Sequence, residues 1–304
     1  FNFGAAGFFH TLNLGSFSGV EVPQTGFSKQ ANIFVSRQTI IILGIIGYSA
    51  YRAFSVNKLR DDANLLDWIS AYIIRAAFWA VLIVGLTDAV LSFLRVEGFH
   101  KVLFGENAGA AIALPSARGL YVHIPLMILA ALIAFRDKSV SLVWLALLVV
   151  VAEFLIVIAR FIYGYEQTFM GDLVRFWYAA LFLFASAYTL LEEGHVRVDI
   201  AYAGMSQRNK ARVNAYGALF LGMVTATTIF LICLWSKQSI VTSPVLNFEV
   251  SQTGTAGMYT KYQMAAFLLI FAITMQFQFV SQFFDAVADM KNEPGKRSPE
   301  PISH

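Results

Sequence analysis

The stretch VSLVWLALLVVVAEFLIVIARFIY, residues 140–163, carries only two ionisable side chains, Glu153 and Arg160, in an otherwise apolar run. A helix crossing about 30 Å of hydrocarbon needs roughly 20 such residues at 1.5 Å each. A helix half in water would show a polar stripe along one face, and this one has none. The stretch therefore predicts a transmembrane helix, and the same criterion can be carried outward along the chain.

Comparable runs occupy residues 68–94, 119–135, 176–191, 215–235 and 262–284, and a shorter, weaker one covers 39–54. The expectation is an all-α integral membrane protein of about seven transmembrane helices. Composition agrees: 58% of the 304 residues are hydrophobic, 13% are charged, and the mean hydropathy is +0.63. Soluble domains carry about one quarter charged residues, so a water-soluble fold of this size would lack the polar surface to cover its core. Lipid-facing helices need no such cover, because lipid tails solvate apolar side chains. Trp68, Trp144, Trp177 and Trp235 fall near the ends of these runs, where amphipathic rings favour the headgroup layer, and Trp79 is the exception.

Several function classes are disfavoured by what the chain contains. The net charge of +3 is spread over short loops, so no basic face for nucleic acid is formed. A single cysteine, Cys233, excludes an intrachain disulfide and a thiolate cluster. Among His10, His100, His123, His195 and His304 only His123 lies well inside a span, so the pair needed for bis-histidine haem is missing. No phosphate-binding loop, Gly-x-Ser-x-Gly elbow or His-Glu-x-x-His pair occurs. No catalytic, cofactor or metal residues are assigned, and no cofactor is expected. Residues 1–30 do not read as a signal peptide, and residues 289–304 read as a solvated tail.

Lys and Arg gather on cytoplasmic loops. Alternating spans place Arg52, Lys58, Arg60, Arg136, Lys138, Arg197, Arg208, Lys210, Arg212, Lys291, Lys296 and Arg297 on one side. The other side holds Lys29, Arg37, Arg95, Lys101, Arg118, Lys237 and Lys261. Twelve against seven predicts the N-terminus outside and the C-terminus inside a bacterial inner membrane.

The most specific stretch is ARFIYGYEQTFMGDLVRFWYAALFLFASAYTLLEEGHVRVDI, residues 159–200. Arg160-Phe161 closes one span, Asp172-Leu173-Val174-Arg175 opens the next, and Gly194-His195-Val196-Arg197-Val198-Asp199 follows it. These three elements, at these distances, resemble the small membrane subunit (DctQ-like small permease) of tripartite ATP-independent periplasmic (TRAP) transporters. Three positions depart from the family pattern: Gly171 replaces a second acid, Phe169 a Trp, and Gly164 a small polar residue. The resemblance covers roughly the C-terminal half. It divides the chain into a tail (1–36), an N-terminal extension of about three spans (37–139), a four-helix small-permease-like domain (140–288) and the C-terminal tail (289–304).

The resemblance implies a non-catalytic subunit that braces a large membrane subunit and helps a periplasmic solute-binding protein dock, with an organic acid as the transported solute. The extension is not required by that role. A second reading is therefore a structural accessory subunit of a photosynthetic or respiratory membrane complex that reuses the fold.

Intramembrane charges are the residues to explain. Glu153 and Arg160 are seven residues apart and share a helix face. They form a polar seam toward a partner, or else Arg160 snorkels to the headgroups while Glu153 is satisfied within the bundle. Arg75 and Asp88 are too far apart to pair, and Asp88 is the better candidate for a buried interhelical bond. Asp172 and Arg175 form an i, i+3 pair at a helix start, for capping or for contact with a partner. Glu193, His195, Arg197 and Asp199 read as a helix-end scaffold and docking cluster, with anchoring of the helix end alone and proton-coupled work at His195 as the alternatives. His123, close to Pro125, reads as a satisfied bundle residue.

Overall fold

The computed structural model of the chain describes residues 58–137, 142–165, 167–191, 204–251 and 253–295, with positions 40, 43, 44, 47, 51 and 202. All regular structure among the described residues is helical. Among the described residues, six helices are long and apolar enough to cross a membrane. They are α1 (Leu59–Val96), α4 (Pro115–Arg136), α5 (Leu142–Tyr163), α6 (Thr168–Leu191), α7 (Gln207–Leu234) and α9 (Lys261–Met290). The described residues also form three short α-helices, α2 (Phe99–Phe104), α3 (Glu106–Ile112) and α8 (Thr242–Leu246), and a 3-10 turn at Gly254–Ala256. The weak first candidate, residues 39–54, lies for the most part outside the described residues.

The long helices are arranged as a triangle with three satellites. α1, α6 and α9 pack on one another, while α4 lies mainly on α1, α5 mainly on α6, and α7 on α9. Half of the apolar window of α1 is buried, against 11% for α5. The central core draws Ile74, Phe78 and Val81 from α1, Phe176, Trp177 and Phe184 from α6, and Phe267 from α9, with Leu145 and Ala152 of α5 closing one side. Between helices in lipid such packing acts through van der Waals contact and interhelical hydrogen bonds, since lipid tails are as apolar as leucine.

α1, from the N-terminal extension, is one side of the central triangle and packs on helices of the 140–288 segment. One reading from the sequence is corrected. Trp177 is not a headgroup anchor, because α6 begins at Thr168 and the indole is 3% exposed, with Nε1–H donating to Val81 O at 3.3 Å. Gly85 makes room for that ring, since a Cβ there would lie 2.6 Å from Trp177 Nε1. Gly85→Ala is expected to lower stability by about 1–3 kcal/mol through overpacking. Thermal unfolding of the detergent-solubilised protein reads this, and an unchanged midpoint would show that the ring can yield.

Local chemistry sets the helix ends. α1 starts with Asp61 and Asp62 in its first turn and ends with Arg95 in its last, both favourable to the helix dipole. Gly98 follows its C-cap at φ 79°, the left-handed stop that glycine adopts without penalty. α9 ends in a Schellman turn: Asn292 N–H reaches Asp289 O at 3.2 Å and Glu293 N–H reaches Ala288 O at 3.0 Å. That end is tied to the start of α1 by Arg60, which bonds Asp285 at 3.4 Å, Asp289, and Glu293 O at 3.3 Å. In α4 a π-helical turn (Gly119–His123) precedes Pro125. Proline lacks an N–H and its ring clashes with the carbonyl four residues back, and a widened turn accommodates both.

Candidate functional site

At the far end of the bundle from Arg60, the C-terminal part of α1 meets the N-terminal parts of α4, α6 and α9, and charge is buried there. Asp88, Arg118 and His123 are all fully buried. Asp88 Oδ1 accepts from Arg118 Nη1 at 2.9 Å and from His123 Nε2 at 3.1 Å. Its Oδ2 accepts the backbone N–H of Tyr259 at 2.8 Å. Arg118 also bonds Ser92 Oγ at 3.2 Å and Ile112 O at 2.9 Å. Asp88 is thus the buried interhelical residue that the sequence suggested. Arg118, read there as a loop cation, is its counter-ion instead. Arg75 Nε, by contrast, has no hydrogen-bond partner among the described residues.

His123 bridges two helices: Nε2 faces Asp88 Oδ1 at 3.1 Å and Nδ1 lies 2.9 Å from Tyr262 Oη, which accepts from Gln263 Nε2 at 3.0 Å. The Asp88 carboxylate and the Arg118 guanidinium offset each other's charge, the condition for holding ionised groups out of water.

A second carboxylate lies close by. Asp172, 2% exposed, accepts at Oδ2 from Ser251 Oγ at 2.7 Å, Thr253 Oγ1 at 2.8 Å and Met258 N–H at 3.0 Å. Arg175, whose side chain is 68% exposed, comes only to 3.5 Å from the other oxygen. Asp172 is the fifth residue of α6, and its main partners are therefore not the helix start but the segment entering α9. Adjacent backbone amides of that segment, Met258 and Tyr259, bond carboxylates on two different helices. The Tyr259 ring is covered by the Arg95 guanidinium at 4.1 Å and the Arg118 guanidinium at 4.5 Å, and its hydroxyl donates to Ala113 O at 3.0 Å. Gly257 is required where the segment crosses Asp172, since a Cβ there would lie 2.3 Å from Asp172 Oδ2 and 1.8 Å from Thr253 Oγ1. Lys261 and Glu249, 2.9 Å apart, close the outer edge.

What this arrangement does is hold a strap. The segment carrying Ser251, Thr253 and residues 257–260 is latched across the ends of α1, α4 and α6, with Oδ2 of each buried carboxylate holding it and Asp88 Oδ1 turned to Arg118 and His123. Among the described residues, no group of three His, Cys, Asp or Glu is placed to bind a metal ion. Of the other residues singled out in the sequence, Glu153 and Arg160 lie exposed on α5. Glu193, His195, Arg197 and Asp199 lie outside the described residues. The sequence reading missed Arg118, Tyr259 and the Ser251–Thr253 pair. Their signal was the need of Asp88 for a cation, and the run of small hydroxyl and glycine residues from 251 to 257. In comparisons with known proteins, no family model matches the chain, and no curated protein or solved structure matches it at significance.

Proposed function

We propose that this chain is a non-catalytic brace in a membrane complex, namely the small permease subunit of a TRAP-type transporter for organic acids in the bacterial inner membrane. The observation that carries the brace reading is that each of the buried carboxylates Asp88 and Asp172 accepts three structural hydrogen bonds. Buried charge in a membrane span usually marks a substrate path, a proton relay or a structural pair. Here the carboxylates lock three helices and a strap together, which suits a rigid frame beside a moving neighbour. The assignment to a TRAP transporter rests on the Arg160, Asp172–Arg175 and Gly194–Asp199 elements. The partners are then a large membrane subunit, a periplasmic solute-binding protein and the surrounding lipids, with the N-terminus outside and the C-terminus inside.

One observation favours the second reading, a structural subunit of a photosynthetic or respiratory complex. α1 is central to the bundle although it lies outside the segment that resembles the family. Visible absorbance of the purified complex separates the two, because pigment or haem from companion subunits supports the second reading.

Arg197→Ala and Asp199→Ala test the docking role. Either change is expected to reduce partner co-purification and organic-acid uptake, with membrane insertion unchanged. Normal assembly and uptake in both variants would remove these residues from the docking surface.

A further inference from the structure

The least buried span, α5, has an outward face with two independent peculiarities. Its inner side is fixed by Leu145 and Ala152, seven residues apart and both buried. On the opposite side Val143, Leu147, Val150, Phe154, Val157 and Phe161 are all exposed, Phe154 at 63% and Phe161 at 86%. Their separations alternate between four and three, which is the spacing that keeps one seam of a helix facing a neighbouring helix along its whole length in a left-handed supercoil.

Beside that seam is Glu153, exposed and near the middle of the Leu142–Tyr163 helix. Among the described residues it has neither a hydrogen bond nor an ion pair. Arg160 lies two turns along, about 10 Å in rise. A carboxyl group at mid-span is unfavourable against hydrocarbon, and lipid tails offer it no donor. A second copy of this chain fits less well: in a pair of like orientation the two Glu153 side chains would lie at one depth, where two carboxylates repel and only a shared proton would let them pair.

We propose that the outward face of α5 receives a transmembrane helix of a different subunit, which presents a basic or amide side chain to Glu153. The proposal rests on the brace reading and names the surface through which the brace is attached. The seam supplies close packing and Glu153 sets the register, as a single polar residue does in helix pairs.

The test uses the full chain in its native membrane, with a photo-cross-linking residue placed at Val150 or Phe154 and, as control, at Ile232 on α7. The α5 probes are expected to capture one partner helix, whose sequenced peptide carries a donor side chain at the cross-linked depth. Glu153→Leu should lower the cross-link yield about three- to twentyfold, the range of one interhelical hydrogen bond, while Glu153→Gln keeps most of it. Capture of lipid alone, of another copy or of another part of this chain would overturn the proposal, as would an unchanged yield in Glu153→Leu. If a stable complex is isolated but α5 does not touch the partner, this docking face falls and the brace reading stands. If no complex forms, both fall.

Discussion

Asp88→Ala is expected to lower the stability of the solubilised protein by about 3–5 kcal/mol, the usual result of removing one partner from a buried ion pair. The substitution leaves the fully buried Arg118 guanidinium without its counter-ion and deprives both His123 Nε2–H and Tyr259 N–H of their acceptor. The damage should exceed that of removing the pair outright. A double Asp88→Leu, Arg118→Leu variant is expected to unfold at a higher temperature than Asp88→Ala alone, because no unpaired charge remains. Thermal unfolding followed by tryptophan fluorescence reads both variants. An Asp88→Ala protein within about 0.5 kcal/mol of the parent, the range of ordinary surface changes, would show that the cluster is not structural.

The second large effect is expected at Asp172. Asp172→Ala removes the shared acceptor of Ser251, Thr253 and Met258 N–H. Hydrogen bonds to charged groups contribute about 1.5–3 kcal/mol each, and bonds to one acceptor do not add fully. A total near 3 kcal/mol is therefore expected, released mainly as local opening of the strap. Limited proteolysis between residues 249 and 260 should accelerate well before global unfolding. Gly257→Val provides an independent route to the same state, because its side chain would displace Thr253 Oγ1 and Asp172 Oδ2 from each other while the carboxylate itself is retained. Resistance of both variants to proteolysis would mean that the latch at Asp88 holds the strap by itself.

The spans were legible in the sequence because one rule governs them. Twenty consecutive apolar residues leave few alternatives to crossing a bilayer, and the six described spans fall on the six strong runs. Their ends were less legible: α1 and α6 start about eight residues before the apolar runs do, at Leu59 and Thr168. Helices can run past the hydrocarbon once they have partners to pack on, so apolarity underestimates their length. The same limit misplaced Trp177, since a tryptophan near a run's apparent end is an anchor only if the helix ends there too.

The site divides along a similar line. Asp88 could be picked out alone, because an acid in an apolar run demands a partner. Which partner could not be read, since Arg118 sits beyond a turn and two short helices, and only the fold brings it to Asp88. Asp172 shows the opposite failure. Its neighbours in sequence, three residues away, suggested a helix-start ion pair, whereas its strongest bonds are to residues about eighty positions later. The order of the helices around the triangle was likewise invisible, because hydropathy gives a helix's medium and not its neighbour.

Everything in the functional reading requires this chain to work as a fixed frame attached to something else. Mass spectrometry of the gently solubilised native complex is the direct measurement. The account predicts that the chain is retained with a large multi-span membrane subunit, accompanied by a periplasmic binding protein. Recovery of the chain on its own from the bilayer, carrying solute or converting a reactant with no companion, would contradict it.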